Sequence, residues 1–225
     1  MTLEQGSLYI VSTPIGNLDD ITYRAVDILN KVDICASEDT RVSRILFKKY
    51  DISTKLISYH KFSEKSKINS LINLLKSGKD IALISDAGTP LISDPGQYLV
   101  EAAIENQIKT IPIPGPTSVI AALSVSGFNL ETFTFYGFFP RKLKERKKIL
   151  KEIASSNGPS VIFESGRRLE KLIDTLSEEL HEKCKILIAR EMTKMHETLY
   201  RGNISNIKNL ILASEFGLKG EFVIV

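Results

Sequence analysis

Short apolar, β-branched runs alternate along the chain with segments whose apolar positions recur every three or four residues. SLYIVST (7–13), DICASE (33–38), KLISYH (55–60), IALISD (81–86) and KTIPIP (109–114) predict strands. Between them, TYRAVDILNKV, RVSRILFKKY, KINSLINLLKSG and QYLVEAAIEN predict amphipathic helices. This β-α-β alternation predicts a mostly parallel sheet covered by helices. Strands buried on both faces explain why the apolar runs are nearly continuous.

The pattern changes at PIPGPTS (112–118), whose three prolines and one glycine stop both helix and strand. TSVIAALSVSG then predicts a helix capped by Thr117 or Ser118. Further strands are predicted at 132–138, 160–165, 185–191, 197–202 and 221–225, with helices at about 142–156, 168–180 and 204–215. The short link between the strands at 185–191 and 197–202 permits an antiparallel pair. The expected fold class is therefore α/β, with two α/β domains, 1–115 and 116–225.

Composition narrows the class. The 225 residues are 43% apolar and 25% charged, with a net charge of +3, which excludes a disordered chain. No apolar run approaches the roughly 20 residues of a membrane span. The N-terminus lacks the basic and apolar pattern of a signal peptide, so a cytoplasmic protein is expected. Cys35 and Cys184 stand far apart in apolar runs and read as small buried hydrophobes. The three histidines are scattered, so no metal site is expected.

The positive charge is concentrated. RKLKERKKILK (141–151) carries seven basic side chains and one acidic one, a local net of +6 against +3 for the whole chain. Such a stripe suits a polyanion or, more blandly, a solvated helix face.

No two glycines are separated by a single residue, and no GxxxxGK[ST] occurs, so neither standard nucleotide loop is available. Ligands of open α/β sheets bind at the carboxyl ends of strands. Here those ends carry STPIGNLDD (12–20), SEDTR (37–41), SDAGTPLISDPG (85–96) and PIPGPTS (112–118). Glycine and proline allow close, rigid backbone approach, and the hydroxyls and carboxylates supply orienting hydrogen bonds. Each segment alone also reads as a capped turn.

These segments, with FYGFFPRK (135–142), FESGRRL (163–169), ARE (189–191) and KGEFVIV (219–225), resemble the tetrapyrrole-methylase superfamily over essentially the whole chain. Within it they resemble the enzymes that methylate the ribose 2′-oxygen of a cytidine in small-subunit (16S) ribosomal RNA. The resemblance implies a homodimer that binds S-adenosylmethionine in a cleft between the two α/β domains. It implies cofactor contacts at Pro14, Gly88, Thr89, Pro90, Asp94, Thr117, Ser118, Phe163, Glu164 and Ala189. Arg167 stands where that family usually has histidine, and many members continue past the last strand.

Methylation of a ribose hydroxyl is helped by a general base. Glu38 and Asp39, with Arg41 beside them, are the catalytic candidates; the bland alternative is that the carboxylates cap the following helix. Lys219, Arg190 and Glu191 are weaker candidates. Arg24 and Arg44, and Arg141, Lys142, Lys144, Arg146, Lys147 and Lys148 of the stripe, are expected to hold RNA phosphates of the small ribosomal subunit. Two other readings stay open. A methylase of a small tetrapyrrole has no use for the stripe. A non-catalytic RNA-binding module leaves the Gly/Pro loops without a role.

Overall fold

The computed structural model describes residues 4–61, 64–214 and 218–225. The chain divides into two compact units, Met1–Thr117 and Ser118–Val225. Among the described residues no helix is long and apolar enough to cross a membrane.

The first unit runs β1 (Leu8–Val11), α1 (Tyr23–Lys31), β2 (Ile34–Ser37), α2 (Thr40–Lys49), β3 (Lys55–Ser58), α3 (Glu64–Lys76), β4 (Ile81–Ile84), α4 (Gln97–Glu105) and β5 (Thr110–Ile113). Its sheet has the order β3-β2-β4-β1-β5, and every pairing is parallel. Period-two alternation splits the apolar strands between two layers. Ile81 and Leu83 join the core under α3 and α4, whereas Ala82 and Ile84 join the core under α1 and α2. Cys35 is fully buried in the second of these, as a small hydrophobe. Thr22 caps α1 by accepting from the Ala25 amide at 3.1 Å.

The second unit runs α5 (Ser118–Ser124), β6 (Thr134–Phe138), α6 (Leu143–Ala154), β7 (Ser160–Ser165), α7 (Gly166–Glu179), β8 (Lys185–Arg190), β9 (Thr198–Asn203), α8 (Ile204–Leu212) and β10 (Glu221–Ile224). Position 215 of the last predicted helix lies outside the described residues. The sheet order is β6-β7-β10-β8-β9; β6 and β7 are parallel and all other pairs antiparallel, including β8 with β9. Helices α6, α7 and α8 bury one sheet face, through Leu150, Leu172 and Ile207 against Ile162, Ile188 and Ile224. Cys184 is only partly buried, packed against the edge of this core.

The first predicted strand ran to residue 13, but the regular ladder of β1 stops at Val11. The Ser12 amide still donates to the Ile113 carbonyl of β5 at 3.3 Å, whereas the Thr13 backbone pairs with Gly88 in the loop after β4, which is where the candidate site begins.

Candidate active site

Three parallel strand ends of the first unit are laced together. Thr13 and Gly88 form an isolated antiparallel bridge, with Thr13 N–H donating to the Gly88 carbonyl at 2.9 Å and Gly88 N–H returning a bond of 3.0 Å. The Thr13 hydroxyl donates to the Ser85 carbonyl at 3.1 Å. Ser12 Oγ and Thr89 Oγ1 lie 2.8 Å apart, and Thr89 Oγ1 also donates to the Pro116 carbonyl at 3.3 Å. Ser12 and Thr13 are buried, so these bonds satisfy hydroxyls that would otherwise be costly to desolvate.

Glycine is required at two points. Gly88 has φ +83°, a left-handed conformation that side chains disfavour. At Gly115 a Cβ would stand 2.9 Å from Ser12 Cβ, so the β5 end approaches the β1 end too closely for any other residue. Downstream of Gly88, Leu91 (φ 73°) and Ser93 (φ 69°) are also left-handed. Non-glycine residues there cost about 1–3 kcal/mol each and cluster at functional sites.

A group of carboxylates adjoins these ends. Burial, then the charges of Asp94 and Asp86, push Glu38 up to about 7. Asp94 is pushed up to about 6, chiefly by burial, with Asp86 adding to it and a bond from Ser85 opposing. Burial also raises Asp86, which accepts the Asp39 amide at 2.9 Å. Asp39 behaves oppositely. It accepts from the Arg41 amide at 2.8 Å as the α2 N-cap and is gripped by the Arg41 guanidinium, the closest contact being 2.5 Å. Hydrogen bonding from that guanidinium holds its carboxyl down at about 2. A group near 7 accepts a proton readily at neutral pH and one near 2 does not. Of the two carboxylates, Glu38 has the chemistry of a base, and Asp39 with Arg41 forms the helix cap.

Pro14, Gly88 and Pro90 are buried, and Thr89, Asp94 and Thr117 are half-buried around the laced ends; Ser118 opens α5. In the second unit, the register places Phe138, Phe163, Val223, Ala189 and Leu199 on one row across all five strands. Phe163 and Ala189 therefore share a sheet face.

Glu164 does not join them. Strand alternation turns it to the opposite face, with the helix-covered core, where its side chain is fully buried. It accepts from Arg168 Nε at 2.6 Å and from the Ser165 amide at 2.8 Å, and Arg146 Nη2 stands 3.9 Å away. Its expected ligand role is thus replaced, for the side chain, by a buried ionic one. Arg190 lies on the same row and face as Glu164, with Phe222 between them. It donates to the carbonyls of Lys219 (2.7 Å) and His196 (2.9 Å). Glu191 accepts from Lys194 at 3.1 Å and from the Glu221 amide at 2.8 Å. These bonds give the Arg190 and Glu191 side chains structural tasks and engage Lys219 through its carbonyl alone.

The basic stripe also divides. Arg146 is a correction: it is 2% exposed, its Nε donates to the Pro140 carbonyl at 2.7 Å, and its guanidinium lies 5.6 Å from the Phe139 ring centre. A buried guanidinium cannot meet phosphate. Lys142, Lys147 and Lys148 pair with Glu145 (3.4 Å), Glu179 (2.6 Å) and Glu152 (4.0 Å). Arg141 and Lys144 are exposed and have no ion pair among the described residues, as do Arg24 on α1 and Arg44 on α2. The hydroxyls of Ser12 and Ser85 and the carboxylate of Asp86 belong to strand-end segments whose polar groups are expected from sequence to orient a ligand, but they are not among its individual candidates. Their signal was polar residues directly following fully apolar strands.

A sequence profile of the Tetrapyrrole (Corrin/Porphyrin) Methylases matches residues 7–208. The chain belongs to the tetrapyrrole methylase family. This methylase is 43% identical to ribosomal RNA small subunit methyltransferase I of Haemophilus influenzae, covering 100% of this chain and 80% of that one. It is 41% identical to the enzyme of that name from Bacillus subtilis, covering 99% and 75%. Among solved structures, uroporphyrin-III-C-methyltransferase from Thermus thermophilus superposes with a TM-score of 0.67 at 16% identity, covering 98% of this chain and 94% of that one. That likeness extends to the fold alone. S-adenosylmethionine is the methyl donor of this methylase. The site's chemistry fits it: a sulfonium and an ammonium are cations, and Glu38, Asp86 and Asp94 gather at the strand ends where hydroxyls and backbone groups offer hydrogen bonds.

Proposed function

We propose that this methylase transfers a methyl group to the ribose 2′-oxygen of a cytidine in small-subunit (16S) ribosomal RNA, acting as a cytoplasmic homodimer. The observation that carries this reading is the identity of 40–43% to ribosomal RNA small subunit methyltransferases I, sustained over 97–100% of the chain. Arg141, Lys144, Arg24 and Arg44, exposed and without an ion pair among the described residues, support a polyanionic substrate such as RNA.

S-adenosylmethionine, when bound, supplies an electrophilic methyl on sulfur. Pro14, Gly88, Thr89, Pro90, Asp94, Thr117 and Ser118, with Phe163, Ala189 and the backbone at Glu164, are the residues proposed to hold it. Asp94 offers negative charge to a cation, and the rigid backbone around Gly88 and Gly115 fixes the shape of the site. Glu38 takes the proton of the 2′-hydroxyl as that oxygen becomes the nucleophile. The laced strand ends hold these groups without reorganisation, which favours a near-attack geometry.

The test is to map ribose methylation on small ribosomal subunits from a strain lacking the enzyme, with and without the purified protein and its methyl donor. A single new 2′-O-methylcytidine in 16S RNA is expected. Unchanged RNA, with labelled methyl appearing on a tetrapyrrole instead, would overturn the reading.

A further inference from the structure

We propose that Phe138 is a stacking platform for an unpaired base of the RNA substrate, with Arg141 and Lys144 holding the flanking phosphates; this rests on the reading of the substrate as RNA. The platform is built by the backbone. Gly137 (φ 67°) sits in an irregularity of the β6–β7 ladder, between Phe135 and Phe138. Bulges of this kind re-aim a side chain. The result is a phenyl ring that is 59% exposed on a strand whose next residue, Phe139, is 1% exposed.

The ring is exposed but not loose. Phe138 meets Phe163 edge-to-face at 5.5 Å and 67°, and Phe163 meets Phe135 at 4.9 Å and 67°. This chain of contacts sets the plane of the outer ring. The turn that follows is pinned from inside by buried Arg146, which bonds the Pro140 carbonyl at 2.7 Å and lies against Phe139. Arg141 follows in this fixed turn and Lys144 lies in the first turn of α6, both within six residues of the exposed ring and without an ion pair among the described residues.

An exposed aromatic face followed within six residues by two exposed cations matches single-stranded RNA, in which bases stack on aromatic side chains and phosphates pair with Arg and Lys. The same positive charge would repel a second copy of the same patch, so RNA is the occupant we favour over self-association.

The experiment uses the full-length protein and a short single-stranded RNA of the target sequence, carrying 2-aminopurine beside the target cytidine. Phe138→Ala is expected to weaken RNA affinity roughly ten- to hundredfold, to abolish the change in 2-aminopurine emission, and to leave the salt dependence of binding unaltered. Phe138→Trp is expected to restore affinity and the emission change. Arg141→Ala with Lys144→Ala should instead flatten the salt dependence and keep the emission change. Wild-type affinity and emission in Phe138→Ala would overturn the platform, as would conversion of a dimer to a monomer by light scattering in that variant. A wild-type protein that neither binds nor methylates ribosomal RNA would instead remove the substrate reading itself.

Discussion

Replacing Glu38 by Gln tests the chemistry most directly. Glutamine keeps the size and polarity of the side chain but cannot accept a proton. With its carboxyl pushed up to about 7, Glu38 is roughly a tenth ionised at pH 6 and roughly nine-tenths ionised at pH 8. The wild-type kcat/KM for methyl transfer should therefore rise about tenfold across that interval. Part of the upward push comes from Asp94 and Asp86, so a bound cation should lower it. The profile of kcat should then turn over at a more acidic pH than that of kcat/KM. Glu38→Gln should lose on the order of 10²–10⁴ in kcat, as removal of a general base does, and its residual activity should lack the inflection near neutrality. The assay is transfer of labelled methyl to small ribosomal subunits from a strain lacking the enzyme, with donor affinity measured in parallel by calorimetry. Wild-type turnover in Glu38→Gln, or an unchanged inflection, would refute the assignment.

The same carboxylates make stability depend on pH. Glu38 and Asp94 are raised above their unfolded values, so their contribution is fully present below about pH 4 and is lost as pH rises through about 6 to 7. Thermal melts should show Asp94→Asn more stable than wild type at pH 8, by about 1 kcal/mol after allowing for solvent screening, with the gain gone at pH 4. Arg146→Ala leaves Glu164 buried beside Arg168 alone and should cost about 3 kcal/mol in urea unfolding, whereas Arg146→Met with Glu164→Leu should recover most of that. Gly115→Ala forces a Cβ to within 2.9 Å of Ser12 Cβ; a loss of about 1–3 kcal/mol with weakened donor binding by calorimetry is expected.

Much of the architecture was legible because periodicity survives folding. The near-continuous apolar runs of β2 and β4 correctly announced strands covered on both faces, and the short link ahead of β9 permitted the antiparallel pair that forms there. Composition hid other things. The +6 stripe read as one uniform face, yet helical geometry turns Arg146 inward onto Phe139 and Glu164 while Arg141 and Lys144 stay outside. Phe163 and Glu164 looked equivalent as neighbours in one motif, and only the register separated them. Glu38 and Asp39 were indistinguishable in the sequence as adjacent acids. What divides them is local: one is half-buried among carboxylates, and the other caps α2 in the grip of Arg41. The left-handed backbone at Leu91 and Ser93 had no sequence signal, since neither residue favours it.

The alternation along β7 constrains how this protein can change. Its fourth and fifth positions serve opposite layers, an aromatic stack on one side and a guanidinium cage on the other. A one-residue deletion just upstream would exchange them, driving a carboxylate into the phenyl stack and a phenyl ring between two arginines. Drift in the length of the segment between α6 and β7 is thus penalised from both sides at once, although nothing in that segment need ever touch a substrate.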